Sequence, residues 1–150
     1  MKIRALSLWQ PWASLIAAGA KQIETRSWST TYRGAIAIHA AKRWTPEQND
    51  LGQQEPFRGC LREAGFATWT DIPLGCVVGT ADLIDVLPTE LIVAGLSEQE
   101  KAFGNYESGR YGWVMANIRA LPKPIPVRGR QGLWTLELEI EPERSDDGQT

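Results

Sequence analysis

Six segments of this 150-residue chain carry strand patterning, and the helical runs fall between them at irregular intervals. A doubly wound parallel sheet needs strands alternating regularly with helices of about 10 to 15 residues, so this spacing argues against one. It fits an α+β fold, a small mixed barrel of five or six strands with peripheral helices. The length supports one compact domain burying roughly 70% of the surface exposed by its unfolded form. We place that domain at residues 1–140, with a helical insertion at about 45–70 and a disordered tail at 141–150, where "EPERSDDGQT" offers nothing to bury.

The segments follow from local chemistry. "KIRALSL" alternates Ile3, Ala5 and Ser7 against Arg4, Leu6 and Leu8 and reads as a first strand. Pro11 suits the first turn of a helix through "WASLIAA", and Gly19 stands where a left-handed helix end is wanted. "KQIETRSW" is a second strand; "GAIAIHA" is a third, apolar enough to be buried on both faces. Thr45 as N-cap, Pro46 in the first turn, and Glu47 with Gln48 open a helical excursion poor in large apolar residues, expected to lie against the barrel or sheet. "GCVVGTADLIDVLP" is the strongest strand, and "SEQEKAF" is a late helical turn. "YGWVMANIRAL" and "GLWTLELEI" complete the set, joined by "PKPIPVRGRQ", whose prolines favour an extended, unpaired path.

The net charge of -2 conceals a segregation. Residues 1–44 carry seven Lys/Arg against Glu24 alone, whereas residues 45–108 carry three against eleven acids. Residues 109–139 return to a net +3. If the two basic segments adjoin, they form one positive face suited to phosphate-bearing partners. Six of the seven tryptophans (Trp9, Trp12, Trp28, Trp44, Trp113 and Trp134) lie in the same segments, which points to stacking on a base or sugar.

Several chemistries lack sequence support. His39 stands alone, without an HExxH or paired CxxC, so no metal or other cofactor is expected. No GxSxG elbow presents a nucleophilic serine, and His39 reads as structural. The phosphate loop and dinucleotide fingerprint are both missing. Cys60 and Cys76 read as reduced thiols. No apolar run reaches the roughly 18 residues of a membrane span, and Trp9 to Trp12 interrupt the apolar N-terminus, so a cytoplasmic protein is expected.

What remains is "GAKQIETR". Glu24 and Arg26 share one strand face, and only a turn at residues 19–21 brings the Lys21 ammonium to Glu24. One reading is a helix exit in which Lys21 complements the dipole and Glu24 pairs with Arg26 on the surface. The other is a cleft in which Lys21 and Glu24 tune each other as a metal-free proton shuttle. "RGRQGLW" supplies either a tight turn or a clamp in which Arg128 and Gln131 grip a phosphate. Trp9, Trp12, Trp28 and Trp134 are candidate base-pocket walls, with Lys42 and Arg43 beside them as strand-end cations.

"GAKQIETR" resembles the G-x-K-x-x-E-x-R signature of the ASCH domain family. "LSLWQPWASLIAAGAKQIETRSWSTTYRGAIAIHAAK" and "YGWVMANIRALPKPIPVRGRQGLW" resemble that family's two ends, together about two thirds of the chain. The resemblance implies a PUA-like barrel that binds RNA or a modified nucleoside in a cleft. It also implies candidate activities, deacetylation of N4-acetylcytidine or RNA cleavage, with Lys21 carried over as a catalytic residue of the first. In the small amidohydrolases of that kind a threonine occupies the position of Glu24, and Asp82 is the acid nearest their further glutamate. Two function classes follow. In a hydrolase, Lys21 and Glu24 activate water or a nucleophile while Arg26, Arg128 or backbone N–H groups hold an oxyanion. In a binding module, the same residues grip a base and its phosphate.

Overall fold

A computed structural model describes residues 1–138. The strands are β1 (Lys2–Leu8), β2 (Ile23–Arg26), β3 (Gly34–Ala40), β4 (Cys76–Pro88), β5 (Tyr111–Pro126) and β6 (Leu133–Glu137). Between them lie α1 (Trp12–Ala17), α2 (Pro46–Gly52), α3 (Phe57–Glu63), α4 (Thr89–Ile92) and α5 (Glu98–Phe103). The six strands form one mixed sheet in the order β2-β5-β4-β3-β1-β6. Only β1 and β3 pair in parallel. The fold is α+β, a curled half-barrel with a few helices.

The curl is visible in a contact between strands that are not neighbours. β2 lies at one edge of the sheet and β1 next to the opposite edge, yet an Arg26 guanidinium nitrogen donates to the Ser7 carbonyl at 2.6 Å. The concave side holds Leu6, Leu8, Ile36, Ile38, Leu83 and Trp113, and α1 adds Ala13, Ile16 and Ala17 to the same cluster. Each large aliphatic side chain removed from water here contributes about 1.5–3 kcal/mol before entropy is counted. A second cluster lies on the other face of β1, where Ile3 and Ala5 meet Trp134 and Leu136. β1 and β3 therefore bury apolar residues on both faces, because a cluster covers each side.

α1 ends as its sequence dictates. Gly19 takes a φ of +82°, which frees the amides of Ala20 and Lys21 to close on the Leu15 carbonyl. Thr45 caps α2, its hydroxyl accepting from the Gln48 amide at 3.3 Å. The excursion differs from expectation in what it packs on. Phe57, Leu61 and Ile72 build a third cluster with Leu15 of α1 and Phe103 of α5, so its support is mainly helical.

The connection before β6 is corrected more substantially. "PKPIP" is not unpaired, because β5 runs to Pro126, with Ile125 opposite Val77 and Pro126 opposite Cys76. The register skips from Ala120 to Ile125, and the bulge between them takes up Pro122 and Pro124, which have no amide hydrogen for the ladder. β2 is also shorter than "KQIETRSW", since residues 19–22 form the turn that precedes it. Both cysteines are free thiols. The predicted tail at 141–150 lies outside the described residues.

Gly79 marks the closest approach of β4 to its neighbours. A Cβ there would stand 2.7 Å from the Arg119 carbonyl oxygen and 3.1 Å from the Ala17 Cβ. Gly79→Ala is expected to lower the unfolding free energy by about 1–3 kcal/mol, as overpacking does. Gly95→Ala, with nothing within 4 Å of the added carbon, serves as the control in denaturant titrations.

Candidate functional site

The turn ending α1 carries Lys21 into the protein. Its side chain has 0% exposure, and its ammonium donates to the Ile23 and Phe103 carbonyls, the latter at 3.3 Å, with a Glu24 carboxylate oxygen at 3.7 Å. Three acceptors face three N–H donors, which is what an ammonium requires. Burial pulls the Lys21 pKa below the ordinary 10.5, opposed by the charges of Glu24 and Glu100. The geometric condition for a Lys21–Glu24 pair is thus met.

Glu24 joins two cations. Its other oxygen accepts from Arg26 Nε at 3.1 Å, and its side chain remains 13% exposed where Lys21 is closed off. Glu24 lines a cleft of about 590 Å³ with Trp12, Thr25, Arg26, Phe57 and Arg110, whereas Lys21 stands behind that wall. Ser7, Trp9 and Arg26 also border a larger cavity of about 1110 Å³, so the two hollows share a wall. Trp28, Lys42, Arg128, Arg130 and Gln131 line the larger one. The two basic segments of the sequence therefore meet, bringing Arg26 and Lys42 from one and Arg128 and Arg130 from the other to a single cavity.

Two candidates sit elsewhere. Trp134 is buried, stacks edge-on against His39 and donates its indole N–H to Ser7 Oγ at 3.3 Å. It supports the cavity from behind. Asp82 pairs with Asn117 Nδ2 at 2.8 Å and lines neither hollow. Among the candidate aromatics, Trp9 is 49% exposed with the Arg43 guanidinium 4.7 Å above its ring, and Trp12 packs edge-on to Phe57.

His39 is a structural tie. Its Nε2 lies 2.8 Å from the Val127 carbonyl, which can only accept, so that nitrogen carries the proton and Nδ1 accepts from the Ser7 hydroxyl at 3.0 Å. A carbonyl thus occupies the place of a triad's acid. Burial lowers the His39 pKa, favouring the neutral ring this pattern needs. Gly129 packs against the pair, since a Cβ there would come within 2.5 Å of the imidazole. The network anchors the segment that presents Arg128 and Arg130.

Sequence reasoning missed Glu100 and Tyr106. "SEQE" fits the Ser-x-x-Glu capping pattern, and Ser97 Oγ does accept from the Glu100 amide at 3.1 Å. The Glu100 carboxylate, however, reaches across to accept from the amides of Gln22 and Ile23 at 3.0 and 2.8 Å, capping the entry to β2. The Tyr106 hydroxyl is buried with no hydrogen-bond partner among the described residues. Burial, then Glu100 and Glu24, holds it protonated above the ordinary tyrosine range. The capping pattern marks Glu100 only as a helix-start residue and nothing local marks Tyr106, because each acts across the sheet-to-helix junction.

The ASCH domain model matches residues 6–125, four fifths of the chain. The chain belongs to the ASCH domain family. It is 30% identical over 135 residues to activating signal cointegrator 1 of Mus musculus and of Homo sapiens, covering 90% of this chain and 22% of each relative. It thus spans about a fifth of the length of those relatives. A crystal structure of a mutant ASCH protein from Zymomonas mobilis superposes with a TM-score of 0.52 at 17% identity, covering 89% of this chain and 87% of that one. That likeness shows the fold.

The lowered Lys21 pKa makes a signed prediction. The unfolded chain binds the Lys21 proton more readily, so the native state gains stability as pH rises from the folded pKa toward 10.5. In Lys21→Met this contribution is gone. The stability difference, wild type minus variant, is expected to grow with pH across the alkaline range below 10.5, as read by urea unfolding at stepped pH.

Proposed function

We infer that this ASCH domain binds single-stranded RNA or a modified nucleoside in the paired hollows. The observation that carries this reading is the larger cavity: Arg26, Lys42, Arg128 and Arg130 surround it, with Trp9 and Trp28 in the same wall. Cations that track a phosphate backbone, combined with indoles on which bases stack, are the elements of single-strand recognition. The family's association with RNA supports the same reading. In the adjoining cleft, Glu24 accepts hydrogen bonds from a base edge while Arg26 and Arg110 bracket it.

A second reading has one specific observation in its favour, the close Lys21–Glu24 pair with its lowered ammonium pKa. Here the domain is a metal-independent hydrolase, acting on the acetyl amide of N4-acetylcytidine or on RNA. Glu24, which reaches the cleft, exchanges protons with water and substrate. Lys21, enclosed by its acceptors, orients Glu24. Cytoplasmic location is part of both readings.

RNA binding is measured by fluorescence anisotropy across a salt series. Lys42→Gln and Arg128→Gln should each weaken binding and reduce the slope of log K against log salt by about 0.7, the increment for one phosphate contact on a single strand. Slopes equal to wild type in both variants would remove the cavity from the RNA path. Incubation with N4-acetylcytidine, followed by mass, tests the second reading. Turnover abolished by Glu24→Gln supports it, and absence of turnover in the wild type disposes of that substrate.

A further inference from the structure

The helical excursion holds a separate cavity of about 380 Å³, with Trp44, Asn49, Arg58, Arg62, Phe66 and Trp69 among its walls. Trp44 and Trp69 stack at 5.8 Å between ring centres and 16° between planes. Trp44 is backed by the third core cluster, whereas Trp69 is 51% exposed. A broad indole face therefore stands open to solvent beside a hollow. Burying it in the core would have been the favoured use of such a side chain.

Two cations share that hollow. Arg58 and Arg62 are one helical turn apart on α3, a spacing at which like charges disfavour the helix. Neither has an ion-pair partner among the described residues. The excursion is acidic overall, but two carboxylates in and beside it are engaged elsewhere. Asp71 accepts from the amides of Ala67 and Thr68, and Glu55 accepts from Gly59. No acidic residue lines the cavity, while Asn49 contributes a buried amide oxygen lacking a hydrogen-bond partner among the described residues.

Position ties this hollow to the clefts. Lys42 lines the 1110 Å³ cavity, Arg43 covers Trp9, and Trp44 lines the 380 Å³ one. The Cα atoms of Lys42 and Trp44 are at most about 7 Å apart, so residues 42–44 link the two hollows along the chain.

We propose that the Trp44–Trp69 cavity is a second nucleotide subsite, holding a base against Trp69 and a phosphate between Arg58 and Arg62, for a single-stranded RNA whose neighbouring nucleotides occupy the clefts. The proposal rests on the RNA-binding reading of those clefts. An unpaired arginine couple beside a flat, exposed ring matches the alternating phosphate and base of a single strand.

The test compares labelled oligouridylates, a trimer and a dodecamer, on the full chain. Arg58→Gln combined with Arg62→Gln should weaken dodecamer binding and reduce its salt slope by about 0.7, one phosphate contact's worth. Trp69→Ala should weaken it by about fivefold or more, the loss of one stacked base. Trimer affinity, set in the clefts, should stay unchanged. All three residues are exposed, and far-UV circular dichroism confirms the fold of each variant. Dodecamer affinity and slope unchanged in these variants, but reduced in Lys42→Gln and Arg128→Gln, would overturn the subsite and leave the cleft reading standing. Reduction in the Arg58/Arg62 and Trp69 variants alone would overturn the cleft reading and, with it, the strand shared between clefts and subsite. No binding of either oligomer by the wild type overturns both.

Discussion

The geometry of the cleft depends on an ammonium withdrawn from water. Lys21 occupies a position with no solvent contact, and the fold compensates by supplying two carbonyls and a carboxylate. Each belongs to a different part of the junction: Ile23 opens β2, Phe103 closes α5, and Glu24 faces the cleft. Removing the cation would leave a carboxylate and two carbonyls without their donor, an arrangement costlier than the pair is stabilising. From Glu24 the chain of contacts continues to Arg26, and from Arg26 to the Ser7 carbonyl on β1. A charge-assisted bond thus joins opposite ends of the sheet where no backbone ladder does. The curl and the site are one set of interactions, so the cleft is built where the half-barrel draws together.

The same closure explains how a chain of net charge -2 presents a cationic hollow. Arg26 and Lys42 come from the N-terminal basic segment, and Arg128 and Arg130 from the C-terminal one. The pairing of β6 with β1 and the Ser7–His39–Val127 tie bring these segments together. Local field rather than total charge governs the encounter with a polyanion, since screening in physiological salt confines it to about 8 Å. The acids of the intervening region are spent largely within the fold. Glu100 caps β2, Asp82 holds Asn117, and Asp71 caps a turn.

How far the sequence disclosed this depended on the range of each interaction. β1, β3 and β4 were legible because their apolar pattern is local and both their neighbours are strands. The turn that delivers Lys21 was legible from Gly19, whose left-handed φ permits it. The prolines of "PKPIP" were misread because a bulge lets them lie within a paired strand, and a bulge depends on the partner's register. Glu100 matched a helix-capping pattern that it fulfils only in part; its carboxylate serves a strand 77 residues away in sequence. The core of the excursion was hidden for the same reason, since Phe57 and Leu61 depend on Phe103 from a distant helix.

The two functional readings differ in what the buried lysine can exchange. A general acid or base must reach the atom whose proton it moves, within about 3 Å or through one water. Lys21 is enclosed by its three acceptors, so proton traffic at the cleft falls to Glu24, the member of the pair with solvent access. Glu24 is held by Lys21 on one oxygen and Arg26 on the other. A carboxylate so held presents oxygens of fixed orientation to the cleft. In the hydrolase reading Glu24 must leave Arg26 before that oxygen can take a proton, whereas the binding reading asks for no such rearrangement.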